Sequence, residues 1–318
     1  MNKIIGFRKA ASVLSAADDV LIFTHMRPDF DTVGSALALE YVLRALGKRC
    51  AVCCNDPLPK RFSIISDGFV EEPGFEPKTV VCVDMATSAM LGRFREKYES
   101  RVELSIDHHL TNAPFAKYTL CKSDAAATGE LIFKLAKLLG VAMDKTLATY
   151  LYCAISSDSG CFKYSNTTVH THRIAAELLS TGIDAAYYNR CMLDMRTPAQ
   201  IALEKDAIET LRFYANGQIC TMYVTREMCR RAGADTSDID ALVQLPRTVE
   251  GVEVGIVLKE NLNDGYKVSV RSNDSFDATA LAKLYGGGGH VRASGFVIAG
   301  DDPCALADEI AKKAESIL

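Results

Sequence analysis

A chain of 318 residues has room for two domains, each with its own core, and its 48% apolar and 24% charged content is that of an ordinary globular protein. A formal net charge of −4 argues against the broad basic surface that tight binding of long duplex nucleic acid needs, while leaving room for a short anionic ligand in a local pocket. Eleven cysteines and an amino-terminal stretch with helical apolar spacing, too short in apolar run for a signal peptide or membrane span, lead us to expect reduced thiols, a cytoplasmic setting and no membrane partner.

In chain order, Val20-Leu21-Ile22-Phe23 reads as a buried strand, and apolar spacing predicts a helix over residues 32–45. The stretch between them, THMRPDFDTVGSA, places His25, Asp29 and Asp31 at a strand's carboxyl end. Open α/β sheets bind ligands there, because the loops leave a crevice bordered by helix N-termini. One imidazole and two hard oxygens without a thiolate read as metal ligands. Pro28 stiffens the loop, and Gly34-Ser35 permits a close backbone approach at the start of the helix. A plain polar loop with Asp31 as the helix N-cap accounts for this stretch alone equally well.

Residues 49–54 predict a short strand closed by Asn55-Asp56-Pro57. Its Cys50, Cys53 and Cys54 lack the helix N-terminus of a redox pair and the further soft ligands of a zinc site, so they read as packed strand residues. Residues 79–83 and 101–106 predict two more buried strands, ended by Asp84 and by Asp107-His108-His109. One such cluster at a strand end is common, whereas three converging on one edge of a parallel sheet are hard to explain as solvation. Helices are expected over residues 123–139, with Glu130 early in it, and 145–156, leading into Asp158-Ser159-Gly160. Taken alone, that loop favours a C-cap turn over a fourth carboxylate site.

Residues 167–180 predict a helix carrying His170 and His172, whose two-residue spacing keeps them from facing each other. Beyond a break in the alternation near residues 184–197, a long helix over 198–212 reads as a connector. The rest is β-rich. Strands 212–215 and 218–225 flank Asn216-Gly217, and strands 251–260 and 266–271 flank Asp264-Gly265, both hairpin signals. Short helices over 226–232 and 277–284 and an amphipathic helix over 303–317 complete the chain. The fold class expected is α/β, a mainly parallel N-terminal sheet flanked by helices plus a smaller α+β C-terminal domain, divided as 1–190, a linker helix 191–212, and 213–318.

The C-terminal part contributes Gly286-Gly287-Gly288-Gly289-His290, followed by Arg292. Successive glycine N–H groups can form a nest for an anion, and a flexible turn is the alternative. Without Gly-Lys-Ser/Thr it is not a Walker-type loop. Arg271-Ser272, at the end of a predicted strand, would add a second anion contact.

HMRPDFDTVGS, VCVDM, SIDHHLTN and SSDSGCF, in that order and spacing, resemble the four motifs of the DHH phosphoesterases, and GGGGHVRASGF resembles the signature of their DHH-associated C-terminal domain. Size and motif order look most like the NrnA-type oligoribonuclease and phosphoadenosine-phosphate phosphatase members. The resemblance implies one metal held by His25, Asp29 and Asp84, and a second held by Asp31, Asp84, His108 and Asp158. Asp84 would bridge the two. It further implies catalytic roles for Asp84 and His109, with His109 facing the substrate phosphate; Asp107 reads as an outer group orienting a neighbour. Arg271, Ser272, Gly287, Gly288, Gly289 and His290 would bind the far end of the substrate. Carboxylates and imidazoles without sulfur suit two Mn²⁺ ions ahead of Mg²⁺ or Co²⁺. Two-metal hydrolysis of a phosphoester is the chemistry expected. The substrates implied are short RNA oligonucleotides, dinucleotides or adenosine bisphosphate, with linear or cyclic dinucleotides of second-messenger turnover as the alternative, and a non-catalytic nucleotide sensor as the rival from another class. A homodimer is compatible with these readings.

Overall fold

The computed structural model describes residues 2–235, 238–239, 241–261 and 265–318, the side chains of Ala241 and His290 excepted. The chain divides into two compact units, Met1–Met195 and Arg196–Leu318.

The first unit is built on a six-stranded sheet of β1 (Lys3–Ile4), β2 (Val20–Phe23), β3 (Cys50–Cys53), β4 (Thr79–Val83), β5 (Val102–Asp107) and β6 (Tyr118–Cys121). Their order is β1-β6-β5-β4-β2-β3. Every pairing is parallel. From β2 the chain goes to β3 on one side and returns to β4 on the other, a reversal that opens a crevice at the strands' carboxyl ends. The sheet carries helices on both faces, so β2 is buried throughout and its apolar run need not alternate. Val20 and Ile22 enter one core, with Leu39, Leu43 and Val81. Leu21 and Phe23 enter the other, with Val80, Leu91 and Tyr98.

The helices of this unit are α1 (Phe7–Ala16), α2 (Phe30–Ala45), the short α3 (Arg95–Tyr98), α4 (Thr128–Leu138), α5 (Lys145–Asp158), α6 (Val169–Leu179) and α7 (Ala185–Asn189). Asp29, not Asp31, caps α2, its Oδ1 accepting from the Thr32 N–H at 3.0 Å. That shift carries Asp31 into the buried first turn. Helices α2, α4 and α5 approach closely at Ala154: a Cβ on Gly34 would lie 2.5 Å from the Tyr150 carbonyl oxygen and 3.1 Å from Ala154 Cβ, and one on Gly129 would lie 2.8 Å from Ala154 Cβ. The helix expected from residue 123 starts only at Thr128, and β6 is a strand that apolar patterning did not predict. Cys50, Cys53 and Cys54 are buried, and burial pushes the Cys53 thiol up to about 11.

The second unit runs α8 (Pro198–Ile208), β7 (Arg212–Tyr214), β8 (Ile219–Val224), α9 (Arg226–Ala232), β9 (Val254–Asn261), β10 (Gly265–Ser272), α10 (Ala278–Leu284), β11 (Gly288–His290), β12 (Ala293–Ala299) and α11 (Pro303–Glu315). Its sheet has the order β11-β12-β10-β9-β8-β7. Only the β8–β9 pairing is parallel among those described. Both expected hairpins pair antiparallel, although Asp264 lies outside the described residues. Helix α8 is shorter than expected and is no free connector, since its Leu203 and Ala207 are buried with Met222, Val224 and Val257 of the second unit. Among the described residues no helix is long and apolar enough to cross a membrane.

Candidate metal centre

Strands β2, β4 and β5 are neighbours, and their carboxyl ends deliver the histidines and two of the acids. His25 follows β2, Asp84 follows β4 directly, and Asp107 ends β5 ahead of His108 and His109. Asp29 and Asp31 come from the start of α2, and Asp158 is the last residue of α5. His25 Nε2 lies 3.6 Å from Asp29 Oδ2 and 3.6 Å from Asp84 Oδ2. His108 Nε2 lies 3.2 Å from Asp158 Oδ2, 3.6 Å from Asp84 Oδ1 and 3.8 Å from Asp31 Oδ2. Two ligand groups result, His25 with Asp29 and Asp84, and Asp31 with His108 and Asp158. Asp84 presents one oxygen to each. His109 also gathers with Asp84 and His108, its Nδ1 standing 3.7 Å from Asp84 Oδ1.

The orientation of each donor has a visible cause. His25 Nδ1 is 2.9 Å from the Met26 carbonyl oxygen and His108 Nδ1 is 3.2 Å from that of Ala125. With Nδ1 donating to those carbonyls, both rings turn Nε2 towards the acids, where a metal that displaces its proton would find the lone pair. Asp84 adopts a left-handed backbone, φ 59°, held by its N–H donating to the Ile106 carbonyl at 2.8 Å. Asp31 is fully buried. Its Oδ2 accepts from the Thr128 N–H at 2.7 Å, and its Oδ1 from the Gly129 N–H and the Ser35 hydroxyl at 3.0 Å each. Asp107 faces His109 Nδ1 at 2.7 Å and accepts from the Asn112 amide at 2.6 Å, so it fixes the His109 ring.

The bonds that Thr128, Gly129, Ser35 and Asn112 make to these acids escaped the sequence reading. The Thr128-Gly129-Glu130 start of an apolar helix was the available signal, and the turn at 123–127 concealed it. Ser159 is buried and bridges: its hydroxyl donates to the Ile155 carbonyl at 2.6 Å and accepts from the Phe162 N–H at 3.1 Å. It thereby clamps a turn in which Gly160, Cys161 and Phe162 all have positive φ. His172 stacks on Phe162 instead of joining the cluster.

The electrostatics favour a cation. Burial, reinforced by Asp84 and Asp158, drives the Asp31 carboxyl well above the usual carboxylate range. Burial also pushes the His25 ring down, but Asp29 and Asp84 overcome it and lift the ring to about 11. His108 is likewise lifted to about 10, against burial, by Asp158, Asp31 and Asp84. Crowded carboxylates thus draw positive charge strongly, and an oxygen and imidazole donor set without sulfur fits hard or borderline divalent ions.

In the second unit several residues near the expected anion contacts are engaged within the fold. Ser272 is buried, and its hydroxyl donates to the Phe276 carbonyl at 2.7 Å, so it is committed to the fold. Arg292 donates to the carbonyls of Phe276 and Asp274. The glycine run is no open nest. The Gly286 N–H donates to the Lys283 carbonyl and the Gly287 N–H to that of Ala282, a Schellman cap on α10. Gly288 and Gly289 lie in β11, paired with Gly295 and Ser294. A Cβ on Gly287 would sit 2.3 Å from the Gly295 carbonyl oxygen. Arg271 is half-buried in β10, its Nη1 donating to the Val270 carbonyl at 3.1 Å. The side chain of His290 lies outside the described residues.

Residues 19–155 match the family model of the DHH family, N-terminal domain, and residues 216–318 match the DHHA1 domain. A bifunctional oligoribonuclease and PAP phosphatase NrnA of Thermus thermophilus is 34% identical, over 93% of this chain and 89% of the relative. A probable bifunctional oligoribonuclease and PAP phosphatase NrnA of Streptococcus mutans is 27% identical, over 91% and 92%. An exopolyphosphatase-related protein from Bacteroides fragilis shares the fold, with a TM-score of 0.89 at 23% identity, covering 98% of this chain and 95% of that one.

Proposed function

The chain belongs to the DHH family of phosphoesterases, and from that premise we propose that it hydrolyses short oligoribonucleotides and dinucleotides to nucleoside monophosphates and removes the 3′-phosphate of adenosine 3′,5′-bisphosphate. The observation that carries this reading is the pair of ligand groups at one sheet edge, with Asp84 turning one carboxylate oxygen to each. It is supported by a relative that carries both activities in its name and is 34% identical along nearly the whole chain.

In this reading His25, Asp29 and Asp84 hold one divalent cation, and Asp31, Asp84, His108 and Asp158 hold the other, with Mn²⁺ preferred on donor chemistry. Such a pair, when bound, supplies Lewis-acid polarisation of the phosphate and a more acidic water. The chain's own residues do the rest. Asp107 fixes the His109 ring through Nδ1, leaving Nε2 to meet a non-bridging phosphate oxygen, where a positioned donor stabilises developing charge. Arg271, with His290, is assigned to a substrate phosphate; Ser272 and the Gly287 to Gly289 backbone, committed to the fold, are withdrawn from that set. The free cysteines, six of them buried, and modest net charge support a cytoplasmic enzyme acting on short strands rather than long duplexes.

Initial rates in Mn²⁺ on a 5′-phosphorylated diadenylate, adenosine 3′,5′-bisphosphate and cyclic diadenylate test the proposal. The first two should be turned over faster than the third. Preference for the cyclic compound would reassign the substrate, and binding without turnover of any would make the protein a nucleotide sensor.

A further inference from the structure

We infer that Thr128 is a positioning residue for the His108 side of the centre: it fixes Asp31 and Asp84 together and sets how tightly that side holds its cation. The inference rests on the two-cation reading above.

Thr128 is fully buried at the first turn of α4. Its N–H donates to Asp31 Oδ2 at 2.7 Å and its hydroxyl to Asp84 Oδ1 at 2.8 Å. Those two oxygens are the ones facing His108 Nε2, at 3.8 and 3.6 Å. The other Asp84 oxygen faces His25 and carries no bond from Thr128. One residue therefore aims two like-charged groups at the same side and leaves the His25 side alone. Hydrogen bonds to an ionised acceptor are among the stronger ones, and the positive end of α4 adds to them. The support is rigid, because Gly129 fits α4 against Ala154 with no space for a Cβ. Without the hydroxyl, Asp84 keeps its repulsion from Asp31 but loses the bond that resists rotation. Removal of groups that orient metal ligands typically weakens binding by about 10- to 100-fold.

The test is calorimetric titration of the full chain, stripped of metal, with Mn²⁺ and no substrate. Wild type should bind two ions. Thr128→Val keeps the shape and the N–H but deletes the hydroxyl; it should weaken one site about 10-fold or more and leave the other within about twofold. Thr128→Ser should restore both. The site weakened by Thr128→Val should be the one that survives in His25→Ala. Unchanged binding in Thr128→Val, equal weakening of both sites, or failure of Thr128→Ser to rescue would overturn the inference. Fewer than two ions on wild type would instead overturn the two-cation reading. If Thr128→Val does not fold, Thr128→Ala is judged by the same criteria.

Discussion

Asp84 sits in a conformation that a side chain rarely adopts, and aspartate is among the few residues that tolerate it. Holding it there turns Oδ1 towards His108 and Oδ2 towards His25, so one residue serves both ligand groups. Asp84→Ala should lower kcat/KM on a dinucleotide by well over tenfold, more than about 1.4 kcal/mol, with an unchanged circular dichroism spectrum; a variant keeping more than a tenth of the activity would remove Asp84 from the shared role. Asp19, just before β2, is paired with Arg49 and Lys78. The Arg49 and Lys78 partners hold its carboxyl down at about 2. Because the folded value is depressed, its contribution is complete above the ordinary aspartate range and is lost as pH falls from about 4 towards 2. Melting temperature should therefore fall less steeply over that window in Asp19→Asn than in wild type, and identical slopes would show that Asp19 contributes no linkage. At this scale the acids and histidines were legible because their types and their places after apolar strands declare them. Thr128 was not, since a hydroxyl serving an acid 44 residues away leaves no local pattern.

The elements that bear the ligands are fixed by small residues. Gly34 and Gly129 let α2 and α4 close on Ala154 of α5, so the helices carrying Asp29, Asp31, Thr128 and Asp158 are set by backbone contact rather than by long side chains. Gly129→Ala should destabilise the protein by about 1 to 3 kcal/mol in urea unfolding, the usual cost of overpacking. Gly74→Ala, where an added Cβ meets nothing within 4 Å, is the control and should change little. Equal stability of the two variants would mean that the helices can part without cost. Strands β2, β4 and β5 were readable because a doubly covered parallel strand is continuously apolar. Strand β6, four residues between polar loops, and the true start of α4 were not, because turn residues blurred both boundaries. The glycine run misled for a different reason. Glycine serves an anion nest, a helix cap and a tight strand pairing through the same lack of a side chain, and here the last two account for it.

For the whole molecule, strand order explains why residues far apart in sequence meet. With β2, β4 and β5 adjacent and parallel, their carboxyl ends must lie on one edge, and the sequence motifs fall there. The α/β class and the two-part organisation followed from the alternation of elements, whereas the order of strands did not, since pairing is set by packing that no local pattern encodes. If Arg271 holds a substrate phosphate, Arg271→Ala should cost about 2 to 4 kcal/mol in kcat/KM on a 5′-phosphorylated dinucleotide. A small artificial phosphodiester should be cleaved almost as well by the variant as by wild type, and equal slowing of both substrates would reduce Arg271 to a structural role. The central claim, a cation-dependent phosphoesterase acting on short RNA, is tested most directly by stripping the protein with chelator and assaying a 5′-phosphorylated diribonucleotide before and after Mn²⁺ is restored. Release of nucleoside monophosphates should vanish on stripping and return with Mn²⁺ in wild type but not in Asp84→Ala; hydrolysis that persists in the stripped protein, or that Mn²⁺ fails to restore, would contradict the account.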